Sequence, residues 1–565
     1  MTTNRPLSAD AEFDTMIPAS LAPAETIGVI VGGSLSKGLT VRLHPHVSVE
    51  SLAVGRYVVV EGAAQQRFFC MVTDVILDNS NPDIQNNPPD ITNIFFRDVY
   101  IGTSAYGKVS IQPMLSLESS AAHTVPKPVK TIPGHFTRVR NASVQDVNDV
   151  FGVDDAQHFN VGSPLEMERD NVSVNLNLSR LVERSIGVFG KSGTGKSFLT
   201  RLLLAGVIAR DKASCLIFDM HGDYGGVVKD EKQGQAKGLV DILGRGRVKV
   251  CTLDPESSAN RGVNRDMDVK LPYSAIEPAD LEMLRETMNL SDAMIDAAYQ
   301  LEKKFKDRWV QSLLDMRADG FDEFEADGNT RAGTLKALQR RLERFGRWDF
   351  LVEEAAEESI KTLMGFLEQG QSVVLEFGRY GNSLEAYILV ANYLTRRIHE
   401  VYVQKMERAL GDKSAPEPRQ LLIVIEEAHK FLDPKIANQT IFGIIARELR
   451  KYNVTLLIVD QRPSGIDDEV MSQIGTRVTA LLDNEKDISA VLNGISGAAG
   501  LREVLARLDT KQQAIIMGHA VPMPVVIKTR EYGQQFYTDM QKLLSGDVLE
   551  GYTPSLNKDK SSRRL

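Results

Sequence analysis

Between residues 25 and 112 the apolar positions come in short β-branched and aromatic runs, at 26–31, 39–43, 57–61, 68–77 and 94–101, broken by Gly, Pro and Asn. That spacing predicts a small β-barrel. The stretch 78–90, DNSNPDIQNNPPD, has almost no large apolar side chain and is expected as a long exposed loop between strands. Residues 119–134, with several Pro and Lys and no periodicity, read as a linker.

Past Arg184 the pattern changes to strands followed by helical stretches. Near-continuous apolar runs at 186–189, 215–219, 248–253, 372–377, 421–425, 455–459, 478–482 and 514–517 are what strands buried on both faces look like. Their alternation with helices predicts a mostly parallel sheet covered on both sides, an α/β architecture. Residues 275–368 carry only helical pattern, at 279–288, 291–304, 334–345 and 353–367, so an all-α insertion interrupts the sheet. The polar stretch 547–565 is expected as a flexible or partner-bound tail.

Composition narrows the class. In 565 residues, 42% are hydrophobic and 25% charged, as in ordinary globular proteins. The formal net charge of −9 leaves no global basic field, so any nucleic-acid contact must come from a local surface. Cys70, Cys215 and Cys251 form no CxxC pair, which points away from a disulfide framework or a zinc site and toward a reducing cytoplasm. No apolar run reaches the length of a membrane span, and the acidic N-terminus is unlike a signal peptide, so no membrane association is expected.

The chemistry is concentrated in a few segments. Gly190, Lys191, Ser192, Gly193, Thr194, Gly195, Lys196 and Ser197 satisfy G-x-x-x-x-G-K-S/T between an apolar strand and a helical run. In that context the backbone N–H groups cradle phosphates, Lys196 reaches the β- and γ-phosphates and Ser197 ligates Mg²⁺. A chance glycine turn is the bland alternative. Glu426 and Glu427 follow a buried apolar run, where one acid can hold Mg²⁺ and the next can polarise water, or the pair can simply cap the following helix. Asp219 and His221 in D-M-H-G-D-Y stand at the end of another strand, and Gln461 in D-Q-R-P at the end of a third. Arg447 and Arg450 in A-R-E-L-R-K-Y lie on a helix leading into that third strand; they suit a γ-phosphate or a solvated face. Lys336, Arg340, Arg341, Arg344 and Arg347 make a basic face opposite an apolar one, which reads first as solvated surface and second as a DNA or partner contact.

Taken in order, a β-barrel, G-x-x-x-x-G-K-S/T, D-x-H-G-D/E-Y, an apolar run ending E-E-A-H, A-R-E-x-R-K-Y and a strand ending Q-R-P-S resemble the HerA family of DNA translocases, within the HerA–FtsK group of RecA-like ATPases. The resemblance spans roughly residues 25–529. It implies a RecA-like P-loop NTPase domain with the all-α insertion, behind a small HAS-barrel-like domain. The divisions expected are 1–24 flexible, 25–118 barrel, 119–180 linker, 181–274 and 369–540 ATPase core, 275–368 insertion and 541–565 tail. The resemblance further implies a homo-hexameric ring, ATP and Mg²⁺ as cofactors, movement on double-stranded DNA, and a nuclease (NurA-like) or another effector docked on the barrel, in DNA end processing or anti-phage defence. Carried over residue by residue, it makes Glu426 and Glu427 the Walker B pair, Gln461 the sensor, Arg450 the arginine supplied in trans and Arg184 a second phosphate-contacting arginine. Two positions depart from the family pattern: Leu449 stands where the family usually has Gly, and Asp223 is the shorter acid. A nucleotide-gated scaffold that holds an effector enzyme with little DNA movement, and a secretion or conjugation ATPase of the same superfamily, fit the same motifs. No N-K-x-D base-reading motif supports a GTPase, and no further carboxylate cluster supports a nuclease within this chain.

Overall fold

The computed structural model describes residues 26–546 apart from short internal stretches, the longest being 87–91 and 230–234. The expectations for residues 1–24 and 547–565 lie outside the described residues. Two compact units divide the chain, one mainly residues 1–152 and the other the bulk of the remainder.

The first unit is built from β1 (Thr26–Ser34), β2 (Gly38–Leu43), β3 (Tyr57–Glu61), β4 (Arg67–Asn79), β5 (Ala105–Ser119), β6 (Thr124–Pro128) and β7 (Arg138–Asn141). Six of these close antiparallel on themselves in the order β2-β1-β7-β3-β4-β5, because β2 also pairs with β5; β6 is added outside β5. Closure leaves no free edge among the six. Alternation sends Ile30, Val41, Val58, Val60, Cys70, Val72 and Ile111 into the barrel core. Tyr57 and Phe69 point to the other face, yet they too are buried. Phe151 of helix α1 (Val144–Phe151) joins their ring cluster, with Tyr57 and Phe69 stacked at 5.0 Å.

Three expectations change here. The run 94–101 is not a strand where it is described: Ile94, Val99 and Tyr100 are helical. The loop expected from residue 78 starts later, since β4 continues to Asn79 opposite Ala105, and residues 83–86 form a helical turn. The linker expected after 118 instead supplies β6, β7 and α1. Pro126 and Pro128 masked β6, which tolerates proline because it is an edge strand.

The second unit holds a twelve-stranded sheet. Its strands are β8 (His158–Pro164), β9 (Val174–Asn177), β10 (Ile186–Phe189), β11 (Ser214–Asp219), β12 (Val248–Thr252), β13 (Met267–Asp268), β14 (Ser372–Glu376), β15 (Leu421–Glu426), β16 (Val454–Asp460), β17 (Thr476–Thr479), β18 (Gln513–Gly518) and β19 (Val525–Thr529). They run β13-β12-β14-β11-β15-β16-β10-β17-β18-β19-β8-β9. From β13 to β17 every pairing is parallel; from β17 to β19, and between β8 and β9, the pairings are antiparallel. Helix α2 (Lys196–Ala209) follows β10, and α3 (Leu384–Gly411) follows β14. Between β13 and β14 the chain is helical, as expected, apart from a two-residue pairing of Leu271–Pro272 with Leu351–Val352. The strand order places β16 between β10 and β15, so three strand ends that bear the candidate motifs stand side by side at one edge.

Candidate nucleotide-hydrolysis site

β10 ends at Phe189 and the chain turns at once. A Cβ on Gly190 would stand 2.8 Å from Thr194 Oγ1 and 3.0 Å from Ala480 Cβ, so the tight turn requires glycine. Gly193 and Gly195 take φ of +78° and +87°, the left-handed backbone that turns successive N–H groups toward one point. Gly195 caps α2 and no side chain bonds that cap, which suits an anion at the helix N-terminus. Lys196 Nζ folds back onto the Lys191 carbonyl at 3.0 Å, and Thr194 Oγ1 donates to the same carbonyl at 2.7 Å. Lys191 itself pairs outward with Asp483.

Across from the loop, Glu426 ends β15 and is buried. Tyr224 OH donates to its Oε1 at 2.9 Å, while Oε2 has no partner among the described residues. Burial, reinforced by the field of Asp219 and opposed by the Tyr224 hydrogen bond, pushes the Glu426 carboxyl up to about 8. Burial also depresses the Lys196 ammonium, countered by Glu427, Asp460 and Glu426. Glu427 adopts φ 49° and ψ 45°, left-handed for a residue with a side chain. The turn is held by Asp460, whose carboxylate accepts from the His429 N–H at 2.7 Å and from the Arg462 N–H at 2.7 Å. The His429 ring Nδ1 lies 2.9 Å from Asp460 and 3.6 Å from Glu427 Oε2.

One cleft of about 310 Å³ gathers Ser192, Gly193, Gly195, Lys196, Ser197, His221, Glu426, Glu427 and Gln461. Gly190, Lys191 and Thr194 shape the loop behind it. Asp219 is corrected from a nucleotide contact to a support: fully buried, it accepts the N–H groups of Asp223 and Tyr224 at 2.8 and 2.9 Å, and burial raises it to about 6. It thereby fixes the turn that brings His221 and Asp223 to the cleft. Asp223, Asp460 and Arg201 line the cleft although sequence reasoning gave them no site role. Asp460 carried a signal, as the residue before Gln461 at a buried strand's end; Arg201 carried another, one helical turn beyond Ser197 on the same face.

The arginines are elsewhere. Arg184 precedes β10 and, with Arg447, lines a separate cavity of about 550 Å³. Arg184 is exposed and makes no hydrogen bond or ion pair with a described residue, and its stem packs where a Cβ on Gly475 would collide at 2.4 Å. Arg447 donates from Nε to the Gly443 carbonyl and from Nη2 to the Ala437 carbonyl, both at 3.0 Å, so its guanidinium is committed to its own helix and the loop before it. The Arg450 side chain lies outside the described residues.

Residues 159–398 match the helicase HerA central domain, and residues 27–93 match the HAS barrel domain. The chain is a P-loop ATPase with a HerA central domain and a HAS barrel. Its relatives include the DNA double-strand break repair helicase HerA of Sulfurisphaera tokodaii, 24% identical over 90% of this chain and 93% of that one. The HerA of Sulfolobus acidocaldarius is 26% identical over 70% of this chain and 73% of its own, and that of Pyrococcus furiosus 24% over 64% and 67%. Among solved structures, VirB4 of Thermoanaerobacter pseudethanolicus aligns at 15% identity over 68% of this chain and 99% of its own, with a TM-score of 0.40. The HerA central domain contains the phosphate loop and the Asp219 turn, whereas Glu426, Glu427 and Gln461 lie beyond the matched residues.

The donor set fits Mg·ATP. The orphaned Glu426 Oε2 and the Ser197 hydroxyl share a cleft with a glycine cradle, and a divalent cation bound there supplies charge neutralisation at the β- and γ-phosphates. Glu427 and Gln461 follow the ends of adjacent strands and line the same cleft.

Proposed function

We propose that this ATPase drives movement along double-stranded DNA as a homo-hexameric ring, with a nuclease or other effector recruited by the N-terminal barrel. The observation that carries the reading is the placement of Arg184. It stands at the N-terminal end of β10, whereas the phosphate loop leaves the C-terminal end of the same strand. Four residues of strand span about 13 Å, so an Arg184 guanidinium serves a γ-phosphate on another copy more readily than its own. In this reading Lys196 and the loop amides hold the phosphates, Glu427 takes the proton from water and the neighbour's arginine offsets charge on the γ-phosphate oxygens. The curated relatives named as double-strand break repair helicases support DNA as the track. Among the described residues no helix is long and apolar enough to cross a membrane.

Displacement of a labelled third strand from a triplex on linear duplex DNA tests this. The wild-type protein should release the strand with ATP and not with a non-hydrolysable analogue, and its ATP turnover should rise with duplex length. Turnover indifferent to DNA, with no strand released, would leave the scaffold reading standing instead.

A further inference from the structure

His429 stands outside the described lining of the phosphate cleft, yet its ring is bonded to an acid that belongs to that lining. Asp460, at the end of β16, is 1% exposed and accepts three N–H groups. Two are the backbone N–H groups of His429 and Arg462, each at 2.7 Å, and the third is the His429 ring Nδ1–H at 2.9 Å. A carboxylate so engaged holds two turns together instead of offering itself to water. The His429 N–H belongs to the turn after β15 and the Arg462 N–H to the turn after β16. The Asp467 N–H donates to the Leu432 carbonyl at 2.8 Å and joins the same two segments a second time.

Glu427 lies inside that clamp. The residue before it is pinned by the buried Tyr387 of α3, whose hydroxyl accepts from the Glu426 N–H at 3.1 Å and donates to the Glu426 carbonyl at 3.2 Å. Left-handed backbone is unfavourable for a residue with a side chain, so Glu427 keeps it only because its neighbours on both sides are fixed. On the far side the Lys430 N–H donates to the Glu427 carbonyl at 2.8 Å. The His429 ring, held by Asp460, then places Nδ1 3.6 Å from Glu427 Oε2. That is too long for a hydrogen bond. The ring instead bounds the space into which the Glu427 carboxylate can swing.

Resting on Glu427 as the base of the hydrolysis proposed above, we infer that His429 is a positioning residue for it. Through Asp460 it locks the strained Glu427 turn to the turn that bears Gln461, so the two cleft residues keep one spacing. What the ring contributes is a single donated hydrogen bond and its own bulk. Misplacing a reacting group by about 1 Å can cost about 10²-fold in rate, which sets the size of the effect.

Single-turnover hydrolysis and a Mg·ATP binding titration on the full chain test this with four variants. His429→Ala should hydrolyse about 10²-fold more slowly and bind Mg·ATP within about threefold of wild type. His429→Asn hangs an amide nitrogen from Cγ, where the ring carries Nδ1, and should recover at least about tenfold of that loss. Added to Glu427→Gln, His429→Ala should slow hydrolysis by less than about twofold further, because a residue that acts through Glu427 has nothing left to position. His429→Phe keeps the ring's bulk, removes the donor and carries the same expectation as the alanine variant should that one lose ATP binding. Wild-type hydrolysis in both donor-less variants, no recovery by asparagine, or full multiplication of the two losses would each overturn the positioning role. Near-normal hydrolysis by Glu427→Gln alone would instead remove the base itself, and the role of His429 with it.

Discussion

A glutamate held at left-handed backbone angles costs about 1–3 kcal/mol, and Glu427 bears that cost at the one turn where β15, β16 and the phosphate loop converge. Strain of this kind persists where it aims a side chain. Replacing Glu427 with Gln keeps size and backbone but removes the proton acceptor, so Mg·ATP should bind within a few-fold of wild type while single-turnover hydrolysis falls on the order of 10²- to 10⁴-fold. Lys196→Ala should instead fail in the binding titration. Near-normal hydrolysis by Glu427→Gln would remove it from the chemistry. Tyr224 makes a second case: its hydroxyl is the donor that Glu426 Oε1 accepts from. Tyr224→Phe leaves a buried acceptor unpaired at about 1–3 kcal/mol and should raise the Mg²⁺ concentration needed for half-maximal turnover, while ATP affinity in the absence of metal stays put. An unchanged Mg²⁺ requirement would show that Tyr224 does not position Glu426. The phosphate loop and the paired acids were legible in the sequence because their chemistry depends on contiguous residues. Arg201 and Tyr224 were not, since their partners Tyr532 and Glu426 lie far along the chain, and Asp219 was read as a nucleotide contact although it holds its own turn.

At the level of elements, strands with an unbroken apolar run announced themselves, the antiparallel β18 included, and strands interrupted by polar residues, Gly or Pro did not. β10, β11, β14, β15 and β16 are flanked on both sides in the sheet and read as unbroken apolar runs. β8, β9 and β19 went unread because His158–Pro164 carries Gly and Pro, Val174–Asn177 alternates with Asn, and Val525–Thr529 ends in Lys and Thr. In the barrel, α1 was hidden inside an apparent linker, yet it anchors a charge cluster. Asp146 is the third residue of α1, forms a capping box with Ser143, and takes ion pairs from Arg67 and Arg140 at 2.5 and 2.6 Å. Burial alone would raise its carboxyl; the Arg140 and Ser143 hydrogen bonds outweigh that and hold it at about 2, below its ordinary 3.8. A depressed folded value means the contribution is complete above pH 3.8 and is lost as pH falls toward 2, which amounts to roughly 2–3 kcal/mol. Asp146→Asn should therefore cost the barrel roughly 2–3 kcal/mol at neutral pH, while Arg67 keeps its pair with Asp149 and Arg140 its pair with Glu61. Hydrogen-exchange protection of the β3, β4 and β7 amides should fall to match and should lose the decline that wild type shows between pH 4 and 2. Protection equal to wild type would make the cluster a bystander.

For the whole molecule the question is whether one chain contains a complete site. Its own cleft holds the glycine loop, Ser197 and the paired acids, and among the described residues that line it Arg201 is the one arginine. The family resemblance favours Arg450 as the arginine supplied by a neighbour, and Arg447 competes on sequence. Geometry reorders them: Arg447 is committed to the Gly443 and Ala437 carbonyls, whereas Arg184 is exposed at the sheet edge opposite the phosphate loop. In a head-to-tail ring each interface joins the phosphate loop of one copy to the opposite edge of the next. Arg184→Ala should then bind ATP and hydrolyse it on the order of 10³-fold more slowly, and Lys196→Ala should be inactive for its own reason. An Arg184→Ala subunit keeps its phosphate loop and can use Arg184 of an adjacent Lys196→Ala subunit. Equal mixing of the two inactive proteins under conditions that exchange subunits should restore up to about a quarter of wild-type turnover, the share of interfaces that combine both intact halves. The same mixture made with Arg450→Ala decides between the two arginines. Recovery with Arg450→Ala and none with Arg184→Ala, once exchange is verified by mass, would return the trans role to the helix before β16 and leave Arg184 a residue of the sheet edge alone.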